Sequence, residues 1–296
     1  MDEEEVRSYI KAGEIARRVR EKAEKMVRPG IGVLELAREL EREIVELGGQ
    51  PAFPVNIGIN EVAAHYTPTP EDTGVIPDGS VVKVDLGVHV NGYIADTATT
   101  VCFNPALEGL VEATRRALEE VVKVFKPGVR AREIGRVVER VVKSAGYKPI
   151  VNLSGHSMDL YLIHSGKTIP NYDDLTALWR IGEGAFAVEP FATDGSGLVR
   201  EGSEVTIYAL RPVRRVELTA PEGDFYRRVY GERRTLPFTF RWYPDYYGQS
   251  QRILGSLSGR GLLVKYPVLV EKTNRPVAQF EHTFLVLGKD VIVTTM

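Results

Sequence analysis

Cysteine is almost absent from this chain: Cys102 is the only one in 296 residues. A single thiol excludes an intrachain disulfide and fits a reducing compartment. No Cys–His signature surrounds it, so its simplest role is that of a small buried apolar residue. Long hydrophobic runs are missing too. No apolar stretch approaches the roughly eighteen residues needed to span a bilayer, and Met1-Asp2-Glu3-Glu4-Glu5 lacks the basic-then-apolar order of a secretory signal. A cytoplasmic protein without membrane contact is therefore expected. Net charge is small as well: 38 basic against 40 acidic residues leave −2, which gives no case for a specific nucleic-acid partner.

Apolar residues make up 43% of the chain, enough for a substantial core in one large domain or two modest ones. Arginine outnumbers lysine about two to one, a bias that fits a heat-adapted protein without being a general marker of one. The chain also repeats itself at an offset of 98 positions. Arg28-Pro29-Gly30 with Glu35-Leu36 matches Lys126-Pro127-Gly128 with Glu133-Ile134, and the match runs on through Arg38/Arg136, Glu41-Arg42/Glu139-Arg140, Gly48/Gly146 and Pro51/Pro149. In each copy Pro-Gly ends a long helix, roughly Glu4 to Met26 and Leu107 to Phe125. An amphipathic helix follows and is stopped by glycine. Val33, Leu36, Leu40, Ile44 and Leu47 in the first copy, and Ile134, Val137, Val138, Val141 and Val142 in the second, fall at helical spacing and predict a buried face. Strand-like segments come after each. The pattern predicts two related helix–helix–strand halves around a pseudo-twofold axis, with a ligand cleft where they meet. His65 and His164 occupy nearly equivalent places in the halves and are expected to face that cleft.

Between about Val205 and Gly261 the pattern changes to a stretch rich in aromatics and arginines, among them Arg211, Arg214, Arg215, Arg227, Arg228, Arg233 and Arg234. It has no counterpart in the first half and reads as an insertion, with short helices near 224–230 and 249–254. Strands resume at 262–264, 277–287 and 291–294. The expected division is a catalytic domain over 1–204 and 262–296 and an inserted helical subdomain over 205–261. No exposed heptad or long apolar face remains, so a monomer is expected.

Five residues form a ligand set: Asp85, Asp96, His156, Glu189 and Glu281. Four carboxylates and an imidazole suit a pair of divalent metals, and such a pair makes a hydrolytic centre. Asp85 and Asp96, eleven apart with Gly87 and Gly92 between them, each close an apolar run on an expected β-hairpin. Strand alternation alone leaves open whether they share a face. Either one, taken singly, is more often a turn or capping residue. Glu189 and Glu281 sit inside apolar strands, where an unpaired acid is costly. Four ionised carboxylates within a few ångströms would drive one another's proton affinity far up; two divalent cations cancel that charge. His156, in Ser154-Gly155-His156, is the candidate imidazole ligand. His65 and His164 suit acid–base or carbonyl-polarising work, although each alone is more often a satisfied core histidine. His89 is expected to be exposed near the hairpin turn, and His282 to point away from Glu281 and be structural.

The segments Ala64-His65-Tyr66-Thr67-Pro68, Gly155-His156-Ser157, His164-Ser165-Gly166-Lys167-Thr168-Ile169-Pro170 and Gln279-Phe280-Glu281-His282-Thr283, in this order, resemble the methionine aminopeptidases over essentially the whole chain. The long insertion is similar to that of their type 2 branch, in its short archaeal form. The resemblance implies an α+β pita-bread fold around a curved, mainly antiparallel sheet. It further implies two divalent ions (cobalt, manganese, iron or zinc), with Asp85 on one, Asp96 and Glu281 bridging, and His156 and Glu189 completing the second. His164 would polarise the scissile carbonyl, His65 would sit near the leaving nitrogen, and Glu189 would shuttle the proton of a metal-bridging hydroxide. Phe53, Ile163, Phe191 and Tyr266 would line the methionine pocket. The substrates implied are nascent polypeptide N-termini with a small second residue, so Met1 before Asp2 is expected to stay. Pro190 stands where threonine is common in the family. Two rivals are a proline-specific peptidase on the same fold and a catalytically dead binding module. The arginine-rich insertion leaves a ribosome or RNA contact open.

Overall fold

The computed structural model describes residues 1–213 and 218–296; Arg214 and Arg215 of the arginine-rich stretch lie outside the described residues. The first half runs α1 (Glu3–Met26), α2 (Val33–Glu46), β1 (Gln50–Pro51), β2 (Asn56–Ile59), β3 (Val62–Ala64), β4 (Val81–Val90) and β5 (Tyr93–Cys102). The second runs α3 (Glu108–Val124), α4 (Ala131–Ser144), β6 (Lys148–Pro149), β7 (Ser154–Met158), β8 (Thr168–Pro170), β9 (Gly184–Val188) and β10 (Phe191–Thr193). Next come β11 (Val199–Leu210), α5 (Glu222–Arg233), α6 (Pro244–Tyr247) and α7 (Ser250–Gly259). The chain ends with β12 (Leu263–Glu271), β13 (Val277–Gln279), β14 (His282–Leu287) and β15 (Asp290–Val293). All strand pairings are antiparallel, in the orders β1-β4-β2 with β5 on β4, β13-β10-β6, β11-β12-β3 and β15-β14-β9-β7-β8. This is the expected α+β pita-bread arrangement.

Local chemistry sets the first helix. Asp2 caps α1 by accepting from the backbone N–H groups of Glu4 and Glu5 at 2.9 Å, and the Glu5 carboxylate accepts from the Asp2 N–H, closing a capping box. The buried stripe Ile15, Ala16, Val19 and Ala23 then packs on the even-numbered residues of β4, Val82, Val84, Leu86 and Val88.

The repeat is visible in the backbone. Gly48 and Gly146 end α2 and α4 with φ of 86° and 87°, a left-handed conformation open to glycine. The Ala52 N–H donates to Gly87 O at 2.8 Å, and Ile150, 98 positions later, donates to Phe191 O at 2.9 Å. The predicted helix faces are buried at Val33, Leu36, Leu40, Ile44, Ile134, Val138 and Val142, with Leu47, Val137 and Val141 partly buried beside them.

The β4–β5 hairpin turns on Asn91 (φ 54°) and Gly92 (φ 91°), the pair that a two-residue turn of this hand favours. Its register pairs Asp85 with Ala98 and Gly87 with Asp96, so both acids lie on one face as diagonal neighbours. Neither aspartate closes its strand, contrary to the sequence expectation. Both lie within ten-residue strands that continue past them, because the opposite face of the hairpin stays packed under α1. Glu189 and Glu281 likewise sit in the breaks between β9 and β10 and between β13 and β14 rather than inside strands. His89 is buried at 5% exposure, not exposed: Tyr161 packs edge-on against its ring at 5.5 Å, and Nδ1 accepts from the Gly92 N–H at 3.2 Å. Cys102, at the end of β5, is half-buried, and its thiol donates to Asn104 O. His282 turns away from the acids, its Nδ1 meeting Thr295 Oγ1 at 3.0 Å and Arg20 at 3.2 Å.

The helices between β11 and β12 have their own aromatic core, in which Phe225 and Phe240 stack at 4.8 Å. A buried ion pair ties this region to the first half. Arg241 donates to both oxygens of Glu41 on α2 and to Thr67 Oγ1 and Pro68 O, while Trp242 Nε1 donates to Glu41 at 2.9 Å. Exposed arginines on α5 and α7 are paired within the region, Arg227 with Asp224, Arg228 with Glu232 and Asp245, and Arg252 with Glu222.

Candidate metal centre

A cavity of about 330 Å³ opens between the halves. Its walls include all eleven residues singled out from the sequence: Asp85, Asp96, His156, Glu189 and Glu281; His65 and His164; and Phe53, Ile163, Phe191 and Tyr266.

Each acid arrives on a different element. The hairpin supplies Asp85 and Asp96, and Gly87 between them leaves room for Phe53, whose ring an added Cβ would meet at 2.3 Å. His156 stands in β7, paired with Ala187 of β9. Glu189 follows β9, braced where Asn171 Nδ2 donates to its backbone carbonyl at 3.1 Å. Glu281 bridges to Ala98 of β5, its N–H donating to Ala98 O at 3.1 Å. Threonine hydroxyls stitch this seam: Thr283 Oγ1 accepts from the Asp96 N–H at 2.7 Å and donates to Asp96 O at 2.8 Å, and Thr97 Oγ1 donates to Glu281 O at 2.8 Å.

Ligand atoms of Asp96, His156 and Glu281, all buried, lie within 4.8 Å of one another. His156 Nε2 is 3.7 Å from Asp96 Oδ2 and 3.5 Å from Glu189 Oε1. Asp85 and Glu189 keep part of their surface open to the cavity. One buried oxygen on each of Asp85, Asp96 and Glu281 has no hydrogen-bond partner. Burial pushes the Asp85 carboxyl up to about 7 against the pull of a Gln279 hydrogen bond. Burial, then repulsion from neighbouring acids, raises Asp96, Glu189 and Glu281 well above the usual carboxylate range. Burial, then the neighbouring His164, holds His156 well below an ordinary imidazole, so it is neutral and able to ligate. Orphaned, crowded carboxylates beside a neutral imidazole fit divalent cations and are hard to explain without them.

The remaining histidines flank this cluster. The His164 ring lies 4.4 Å edge-on from His156 and 6.3 Å from Tyr266. His65 stands 5.5 Å from Tyr266, its Nδ1 3.2 Å from Pro267 O, with backbone φ of 64°, a strained region for a non-glycine residue. Burial lowers the proton affinity of both, His65 to about 4.

Sequence reasoning missed several residues. Gln279 is fully buried among the acids, its Nε2 3.5 Å from Glu189 and 3.4 Å from Glu281. It stands in the segment quoted for Glu281, and alternation puts the two on one strand face, which was the available signal. Asn56, paired in register with Asp85, also lines the cavity with a buried unpartnered oxygen. Pro237 reaches the same wall from the 205–261 region.

A sequence model of metallopeptidase family M24 matches residues 7–223. The methionine aminopeptidase of Pyrococcus abyssi (strain GE5 / Orsay) is 44% identical over 299 residues, covering 98% of this chain and 99% of that one. Among solved structures, a thermophilic Arx1 superposes with a TM-score of 0.87 at 17% identity, covering 99% of this chain and 91% of its own. The methionine aminopeptidase of Thermotoga maritima superposes with 0.70 at 20% identity, covering 100% and 98%. At those identities the two structures share the fold alone.

Proposed function

The chain belongs to metallopeptidase family M24, and on that premise we propose that it is a metal-dependent aminopeptidase removing the N-terminal methionine of polypeptides whose second residue is small. One observation carries the reading: four crowded acids and a neutral histidine converge on the floor of a cavity with apolar walls. Asp85, Asp96, His156, Glu189 and Glu281 would hold two divalent cations, from among cobalt, manganese, iron and zinc. Bound there, such ions supply Lewis acidity and an activated water near neutral pH.

The chain's own residues do the rest. Phe53, Ile163, Phe191 and Tyr266 take the methionine side chain by burying its thioether and methylenes. Neutral His164 donates a hydrogen bond to the scissile carbonyl oxygen as charge builds on it, a contribution of the order of 3 kcal/mol. Glu189, partly open to the cavity, takes a proton from the attacking water and returns it to the leaving nitrogen. His65, also neutral, stands beside Tyr266 on the cavity wall and would sit near that nitrogen. In this reading the segment 205–261 is a subdomain that closes the pocket with Pro237, and the enzyme works as a cytoplasmic monomer on nascent chains, with ribosome contact left to the insertion's outer face.

The test compares Met-Ala-Ser with Ala-Pro substrates, using chelated and metal-restored protein. Metal-dependent release of methionine supports the reading. Cleavage confined to the proline substrates would replace it with the proline-specific rival, and metal binding without turnover would leave a binding module.

A further inference from the structure

The catalytic cavity does not end at Tyr266. A second hollow of about 360 Å³ opens beside it and shares three of its walls, His65, Asn152 and Tyr266. From that shared rim it runs along the paired strands β11 and β12, past Pro267 and Leu269 of β12 and Arg200 and Glu201 of β11, Glu201 being paired in register with Leu269. Three strand residues span about 10 Å, room for about three residues of an extended peptide. The lining of the hollow is fixed. Asn152 Oδ1 accepts from the Val199 N–H at 2.9 Å while its Nδ2 donates to Val199 O at 2.8 Å, and His65 Nδ1 lies 3.2 Å from Pro267 O.

Cations outnumber acids in the second hollow. Lys265 is exposed, and its ammonium has neither an ion pair nor a hydrogen bond among the described residues. Arg200 is exposed too and donates to the neutral Asn274 Oδ1 at 3.2 Å instead of to a carboxylate. Lys167, on the wall of the catalytic cavity, holds its ammonium 5.3 Å from the Trp179 ring. Within the second hollow two cations, Lys265 and Arg200, stand against one acid, Glu201, while Lys167 belongs to the adjoining cavity with its four carboxylates.

We propose that this hollow is the exit groove for the substrate polypeptide, and that Lys265 and Arg200 make it favour acidic side chains at the third and fourth residues. The groove has this role only if the adjoining cavity is the aminopeptidase site proposed above. Each exposed ion pair is worth up to about fivefold in affinity.

The experiment measures kcat/KM of the metal-loaded full chain on Met-Ala-Glu-Glu-Ala, Met-Ala-Ser-Ser-Ala and Met-Ala-Lys-Lys-Ala, at low and high salt. We expect the glutamate peptide to exceed the lysine peptide by about fivefold or more, mainly through KM, with the ratio shrinking in high salt. Lys265→Glu and Arg200→Glu should each lower that ratio, and together they should invert it. Because the ratio is taken within one preparation, any loss of folded protein cancels. Equal kcat/KM for the charged peptides, or a preference that the double variant leaves unmoved, overturns the groove while turnover of the serine peptide keeps the aminopeptidase reading. No cleavage of the serine peptide overturns both.

Discussion

Glu281 is 1% exposed, and it carries a carboxylate oxygen that no protein group satisfies, as do Asp85 and Asp96. A side chain in that state suits the ligand role proposed for it, and Glu281→Ala should nearly abolish release of methionine and lower bound metal, read by metal analysis beside a turnover assay. His164→Ala should cost turnover on the order of a hundredfold or more while the metal stays; loss of metal from that variant would count against its role. Glu271 presents the opposite electrostatics. Burial alone would raise its carboxyl, but hydrogen bonds from Ser196 and Thr273 and from backbone N–H groups, Arg275 among them, outweigh burial and hold it at about 2. Its folded pKa is thus below its unfolded one, so its contribution is complete above about pH 4.5 and is lost as pH falls toward 2. Glu271→Gln should flatten the acid limb of the denaturation curve between those values; an unchanged limb would remove Glu271 from that account. The acids of the centre were legible in the sequence because charge inside apolar runs demands a counter-charge. Asn56 was not: a buried amide in a strand looks like any polar residue facing water until its neighbours are known. His89 was misread for the same reason, since Tyr161, which covers it, comes from a distant loop.

Elements carry the next level. Gly135 lies inside α4, where alanine would favour the helix by about 1 kcal/mol. An added Cβ, however, would meet Tyr172 O at 2.2 Å and Pro170 O at 2.7 Å. Those are backbone atoms at and beyond the end of β8, so the clash wins, and Gly135→Ala should destabilise by about 1–3 kcal/mol in urea unfolding. The Glu41–Arg241 pair joins α2 to the region between β11 and β12, both partners being buried. Glu41→Ala strands a buried guanidinium and should cost about 3–5 kcal/mol by the same measurement; a cost below 1 kcal/mol would show the pair to be dispensable. The helices and their repeat were readable because helical periodicity and Pro-Gly punctuation are local signals. The strand break at Glu281 was not, because it is set by the seam with β5, through the Ala98 bridge and the threonine hydroxyls.

At the scale of the whole molecule, two halves with matching helices close on one cavity, and each contributes acids that neither could keep buried alone. The hairpin face that makes Asp85 and Asp96 neighbours is set by register, while Glu189 and Glu281 reach them only through the joined sheets. Removing the cations should therefore loosen the join. We expect the chelated protein to melt below the metal-loaded one, as binding to the folded state alone requires. Turnover of Met-Ala-Ser by the full chain is the most direct measurement, first stripped by a chelator and then given divalent metal in steps, with bound metal counted at each. The stripped chain should be inactive and should regain methionine release as it takes up cations, to no more than two per chain. Undiminished cleavage by stripped protein, or an intact chain that takes up no divalent metal, would contradict the metal centre and the activity built on it.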